Sequence, residues 1–358
     1  MKKRVFGAML IALTMFVTAC GSGAAAQSSG GSADSGAESK AEGSEEKSPA
    51  PGGDYTIKMS TQLSEGSPFV DGFNSWAEAV KEKTDGHVTI EVYPSAALGS
   101  DEDVIEQALQ GANVAVLTDC GRMGNYVKEM GILNAAYFAD SYDEMQKFME
   151  TDTFEGWKNE LETQHGIKIL NFGWCDGFRH FLTNKPIHSP DDLKGVLIRT
   201  PGADVWSKSI ESLGATPVST VGWAEVYNAV QTKTIDGAEG QTSASYPAAL
   251  YEVLDYMDQT GHILLMNGII VGEKYWDTIP EEYQKIIIDE CAVAAEKASK
   301  VVADNAAANE AKMAEAGMTI IPPEEIDIDA FRKASEKAYE ELGFTELRAE
   351  LYEKIGKK

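Results

Sequence analysis

Apolar residues between positions 54 and 200 follow two alternating periods. Tyr55-Thr56-Ile57-Lys58-Met59 has strand character, and Val88-Thr89-Ile90-Glu91-Val92 alternates with period two until Pro94 stops it. Between them Phe69, Phe73, Trp76 and Val80 recur at i, i+4, i+7 and i+11, one face of a helix ending near Gly86. Ser100, with Asp103 three residues on, is a capping-box variant opening a helix with Val104, Ile105, Ala108 and Leu109 inward. Val114–Leu117, Ile167–Leu170 and Val196–Ile198 are short strand runs. Ser189 sits at the N-cap, and Pro190 at the first position, of a short helix. Strands alternating with helices predict an α/β protein with largely parallel sheets. After Pro280 the pattern changes. No Gly or Pro occurs again until Gly317, and Ala, Glu and Lys dominate. A helix of about 36 residues would be about 54 Å long, more than one ordinary domain is wide. Its Ala-rich stretch 292–308 lacks the Leu/Ile heptads of a coiled coil, so a helix running across two adjacent domains fits better.

The first residues belong to no fold. Lys2-Lys3-Arg4 is a basic start, and the apolar run Ala8–Val17 is too short for an anchor helix but suits a signal peptide over 1–19. Val17-Thr18-Ala19-Cys20 resembles a lipobox, which implies a diacylglycerol on Cys20 and a lipid anchor at the extracytoplasmic face of the cell membrane. An ordinary signal peptide with a chance Cys is the alternative. Residues 21–53 contain no aromatic and no Val, Ile, Leu or Met. They read as a flexible tether with an end-to-end distance of roughly 30 Å.

Charge narrows the partners. The 358 residues carry 31 Lys+Arg against 57 Asp+Glu, a net charge of −26, and loss of the three basic residues of the leader takes this to −29. Such a chain lacks the basic patch a polyphosphate needs, which argues against nucleic acid, and anionic lipid would repel it. Cys120, Cys175 and Cys291 form no C-x-x-C, so buried free thiols are expected rather than a disulfide framework or a zinc site. No phosphate loop, dinucleotide fingerprint, nucleophile elbow or H-x-x-x-H spacing is present, and no metal or cofactor is expected. Carboxylates are plentiful, but no pair stands out in an apolar setting.

Two arginines are informative. Arg179 lies between two strand-like stretches, and Arg199 ends the strand Val196–Ile198 ahead of Thr200-Pro201-Gly202. Ligands of open α/β sheets bind beyond the carboxyl ends of strands, and a guanidinium fork matches a carboxylate. Either arginine fits equally a structural ion pair with one of the 57 acids. Trp174 and Trp223 suit a ligand wall or the core alike.

The chain resembles the DctP-type substrate-binding subunits of tripartite ATP-independent periplasmic (TRAP) transporters over about residues 54–358. The resemblance is carried by Arg179-His180-Phe181-Leu182-Thr183-Asn184-Lys185-Pro186-Ile187, by Ser189–Pro201, by Leu213-Gly214-Ala215-Thr216-Pro217, by Trp223–Gln231 and by Ile235-Asp236-Gly237-Ala238-Glu239. Tyr93-Pro94 and Leu98-Gly99 match an upstream turn. It implies a two-domain clamshell of the periplasmic-binding-protein type, with a long helix bridging both domains. The expected division is 54–177 plus about 265–304, and 178–264 plus about 305–358. It further implies no catalysis, capture of a small carboxylate, and delivery to a small and a large TRAP membrane subunit. A sensor of the same fold is the alternative, and a secreted hydrolase a distant third. By the same resemblance, Arg199 grips the carboxylate and Arg179 supports it. Gln62, Asp119 and Arg122 line the first domain's side, Trp223 stands beside the ligand, and His262 lies near the hinge. Glu239, Trp174 and Tyr246 complete the expected site. Compared with sialic-acid binders, Gly202 and Gly240 replace two asparagines, and one extra residue sits between Pro217 and Trp223. The expectation is a roomier cleft that admits aromatic or other non-sugar acids as readily as sugar acids.

Overall fold

A computed structural model describes residues 53–357. The leader, Cys20 and nearly all of the tether lie outside them. Nine strands form one curled sheet: β1 (Tyr55–Ser60), β2 (Val88–Tyr93), β3 (Val114–Asp119), β4 (Ile167–Thr183), β5 (Leu197–Arg199), β6 (Thr216–Val218), β7 (Gly237–Gln241), β8 (Tyr256–Gly272) and β9 (Thr319–Ile321). The order is β2-β1-β3-β8-β4-β7-β5-β6, with β9 paired to β8. Pairing is parallel at the two ends, where β1 meets β2 and β3, and β5 meets β6 and β7. In the middle it is antiparallel, because β4 and β8 run against each other and against their outer neighbours. The expected largely parallel sheet therefore holds for each end only.

β4 and β8 are the structural link between the two ends. Each is 17 residues long, so each crosses from one half of the sheet to the other. Their register shifts four times, between Ile169/Asn171, Asn171/Trp174, Cys175/Gly177 and Arg179/Phe181. Such bulges bend a strand and sharpen its twist, which is how one pair of strands can serve two differently oriented half-sheets.

Side chains alternate across a strand, and here the alternation feeds two cores. Val114 and Val116 of β3 point into one apolar cluster, Ala115 and Leu117 into the other. The first cluster collects the helices Asp101–Leu109 and Asp204–Ser212. The second collects Pro68–Lys83 and the long helix Glu281–Glu315. The capping box at Ser100 and Asp103 forms as its sequence dictates. The long helix packs on both Pro68–Lys83 and β4. Its 35 residues span about 52 Å.

Candidate functional site

The carboxyl ends of β1, β3 and β5 converge on one another beside the crossing strands. β1 delivers Thr61 and Gln62, β3 delivers Asp119, and β5 delivers Arg199. Together with Asp101, Thr118, Arg122, Asp176, Arg179, Trp206, Trp223, Gln241 and Asn267 they enclose a cavity of about 60 Å³. Asp119 caps the short helix Cys120–Met123, accepting from the Arg122 amide at 2.9 Å, and this turns the Arg122 side chain into the cavity.

The three arginines differ in their partners. Arg122 bonds Glu102 at 2.7 Å and Asp101 at 3.2 Å and is also paired with Asp119. Burial opposes its charge, but the Asp119, Asp101 and Glu102 carboxylates more than offset this and raise its pKa. Arg179 is paired with Glu239 through Nε, donates to the Glu239 carbonyl at 2.6 Å and to Gln241 Oε1 at 2.8 Å, and stacks 5.0 Å from the Trp206 ring. Arg199 is only 3% exposed, yet no carboxylate pairs with it among the described residues. Its Nε donates to the Val221 carbonyl at 2.8 Å, and its guanidinium lies 5.6 Å from the Trp223 ring. Burial, then Arg122 and Arg179, lower its pKa to about 10. It is still charged at neutral pH. Among the described residues its two terminal nitrogens carry no hydrogen bond, and the side chain lines the cavity. A buried charge without a partner is costly, and an incoming anion would relieve that cost.

The rest of the wall is polar. Asp101 accepts from Gln62 Nε2 at 2.8 Å, and burial pushes its carboxyl up to about 6 against the pull of Arg122. Asp176 is raised by burial and held by Ser243 and Gln241, both at 2.5 Å. Thr118 Oγ1 and Trp223 Nε1 are buried without a partner. Glu239 sits one layer behind. Burial opposes its ionisation, but Arg179 overrides this and holds it at about 2. His262 Nε2 lies 3.7 Å from Glu239, too far for a hydrogen bond, and burial lowers its pKa.

Of the residues expected at the site, Gln62, Asp119, Arg122, Arg179, Arg199 and Trp223 line the cavity, and Glu239, Trp174 and Tyr246 do not. Trp174 is wholly buried against Phe69 and Phe73, at 5.2 and 4.8 Å between ring centres. Tyr246 stacks on Tyr251 at 5.7 Å, with Lys312 over its ring. Neither reaches the cavity. A Cβ on Gly240 would lie 2.6 Å from the Trp223 ring, so the space freed by glycine is taken by the indole. Arg179 lies inside β4 and not between two strands. Asp101, Asp176, Trp206, Gln241 and Asn267 escaped the sequence reading. Only Asp101 carried a hint, as the first residue after the Ser100 cap.

Larger cavities exist. One of about 650 Å³ lies behind the crossing strands, lined by Phe178, His180, Leu264, Val302, Ala306 and Arg332 among others. Phe178 and His180 flank Arg179 on β4, and Leu264 precedes Leu265 on β8, so the two cavities take opposite faces of the same strands. Its one arginine, Arg332, is already paired with Asp140 at 2.6 Å. Buried charge left without a partner, rather than volume, singles out the smaller cavity: the lysines of a cavity of about 780 Å³, Lys185, Lys194 and Lys233, are exposed.

Residues 59–345 match the family described as bacterial extracellular solute-binding protein, family 7, or DctP. The chain is 27% identical over 287 residues to the sialic acid-binding periplasmic protein SiaP of Vibrio cholerae, covering 80% of this chain and 88% of that one. It is 30% identical over 278 residues to a solute-binding protein of Chromohalobacter salexigens, with 77% and 81% covered. A TRAP periplasmic solute-binding protein of Actinobacillus succinogenes, crystallised with L-galactonate, superposes with a TM-score of 0.79 at 28% identity, covering 84% of this chain and 99% of that one.

Proposed function

The chain belongs to the DctP family of extracytoplasmic solute-binding proteins, which serve transporters and are not enzymes, and from that premise we propose that it captures a small polyhydroxylated monocarboxylate for a TRAP transporter. The observation that carries the reading is Arg199, a buried guanidinium in the cavity wall that forms no ion pair among the described residues. A bidentate carboxylate supplies the missing charge.

Charge counting favours one anionic group on the ligand. Arg122 and Arg179 are already paired with the protein's own carboxylates. A second ligand carboxylate would face Asp101, Asp119 and Asp176 with no cation left to it. Hydroxyls suit that wall better, since carboxylates, amides and the unpartnered Thr118 Oγ1 can all bond them. The A. succinogenes relative holds such a compound, an aldonate. An aromatic acid loses support because Trp174 and Tyr246 stand elsewhere.

The two moving bodies in this reading are 54–177 with about 265–304, and 178–264 with about 305–358, hinged where the β4–β8 register slips. Cys20 carries the lipid that keeps the protein at the membrane, and no helix among the described residues is long and apolar enough to cross one. Delivery is to the small and large membrane subunits.

A thermal-shift screen over aldonates, uronates, C4-dicarboxylates and aromatic keto acids tests the ligand class. A compound at 100 times its Kd adds about 2.7 kcal/mol to stability. Aldonates or uronates should give the largest shifts and be recovered unchanged. A shift from C4-dicarboxylates alone overturns the charge argument.

A further inference from the structure

We propose that Gln62 is a latch across the cleft, already formed without ligand, and that occupancy of Arg199 tightens it. The coupling to occupancy rests on Arg199 being the carboxylate grip; the latch itself does not. Gln62 follows β1, in the half of the sheet that holds β2 and β3. Trp223 opens the turn Trp223–Glu225 after β6, in the other half. The amide of Gln62 is used at both ends. Oε1 accepts from the Trp223 backbone N–H at 2.7 Å, and Nε2 donates to Asp101 Oδ2 at 2.8 Å. The side chain is 5% exposed, so water competes for neither bond. A side-chain amide can receive an N–H on one side and give one to a carboxylate on the other. Glutamate would set two carboxylates face to face.

The loop that presents the Trp223 amide is held from its own side by the ligand-gripping arginine. Arg199 Nε donates to Val221 O at 2.8 Å, and the guanidinium covers the Trp223 ring. Guanidinium atoms are coplanar. A carboxylate that fixes the two terminal nitrogens therefore fixes Nε, then Val221, then the Trp223 amide two residues on. Gly222 completes the arrangement: a Cβ there would lie 3.0 Å from Gln62 Oε1 and press on the acceptor.

Hydrogen exchange at the Trp223 amide, followed by NMR in the protein without added ligand, reads the latch directly. Wild type should protect it. Gln62→Ala should speed its exchange about tenfold, the equivalent of one lost hydrogen bond. Gly222→Ala should do the same from the opposite side. The Thr216 amide, bonded to Val196 O at 2.8 Å within one half, is the control and should not change. An unprotected Trp223 amide in wild type, unchanged protection in Gln62→Ala, or equal acceleration at Thr216 in both variants each overturns the latch. A second arm uses L-galactonate as probe. Gln62→Ala should raise its dissociation rate about tenfold with little change in association, since interface losses appear mostly in the off-rate. A dissociation rate within twofold of wild type overturns the coupling to occupancy. If wild type does not bind L-galactonate at millimolar concentration, D-glucuronate takes its place as probe; if it binds neither, the assigned ligand class fails, while the exchange arm still decides the latch.

Discussion

The two cavities flanking the crossing strands are built from neighbouring residues of the same chain segments, and they differ in the charge left open. In front, Arg179, Leu265 and Asn267 face a space of about 60 Å³ bounded by three arginines, one of them without an ion pair among the described residues. Behind, Phe178, His180 and Leu264 face about 650 Å³ lined by apolar and polar side chains alike, with its one arginine paired to Asp140. Asp176 touches both. A strand keeps two environments apart at no cost in sequence length, because successive side chains point to opposite faces. A slip of one residue would exchange them. The comparison also separates two kinds of buried charge. Arg179 is satisfied inside the protein and acts as structure. Arg199 is not, and acts as a receptor.

Replacing the two arginine systems separately should break the comparison most sharply. Arg199→Ala should weaken binding of the acid identified by the screen by roughly 30- to several-thousand-fold, the effect of removing one partner from a buried charge pair. The melting temperature without ligand should stay the same or rise, because a desolvated, unpaired charge is lost. Calorimetric titration beside an apo melt checks both. Affinity within twofold of wild type would remove Arg199 from the site.

Glu239→Gln should show the converse. It leaves Arg179 buried without its carboxylate, which should cost about 3–5 kcal/mol in urea unfolding. Stability from Glu239 is also pH-dependent. Its folded pKa is depressed to about 2 from an ordinary 4.5, so this contribution is present above about 4.5 and fades as pH falls towards 2. If the variant unfolds at the wild-type urea midpoint, Arg179 is not the structural member of the pair.

The smallest effect is the contrast in pH response of front and rear. Burial, with His262 and Arg179, lowers His180 from an ordinary 6.5 to about 3. The unfolded chain then binds the proton first, so wild type should lose stability relative to His180→Asn as pH falls from 6.5 towards 3. Asp101 is raised by burial from 3.8 to about 6. The folded chain holds that proton first, so wild type should gain stability relative to Asp101→Asn as pH falls from about 6 to 3.8. Melting curves between pH 4 and 6.5 should give differences of opposite sign. The same sign for both would mean that one of these groups is solvated.

Much of the scaffold was legible because its signals are local. The capping box at Ser100, the apolar face from Phe69 to Val80 and the uninterrupted stretch 281–315 each declare a helix within a few residues of chain. β4 and β8 were not legible as 17-residue strands. Bulges break their alternation, so β4 reads as a short apolar run followed by an irregular segment holding Arg179. Arg199 stood out because it ends a strand, where α/β proteins place ligands. Arg179 stood out equally and turned out to be fully paired.

The sequence by itself determined the helices with local signals, Pro68–Lys83, Asp101–Leu109 and Glu281–Glu315, the chemistry available to an acidic chain, and the family-like strings around Arg179, Arg199 and Trp223. Those depend on short-range periodicity and residue type. The partners of each charge were decided only by the tertiary structure. Asp101, Asp119 and Glu102 meet Arg122, Glu239 meets Arg179 across 60 residues, and among the described residues no acid pairs with Arg199. The same holds for Trp174, an aromatic like Trp223 in sequence but sealed against Phe69 and Phe73. Pairing and burial arise from which distant segments the sheet brings together. A side chain's identity fixes the interactions it can make, and its neighbours fix which of them remain open to a ligand.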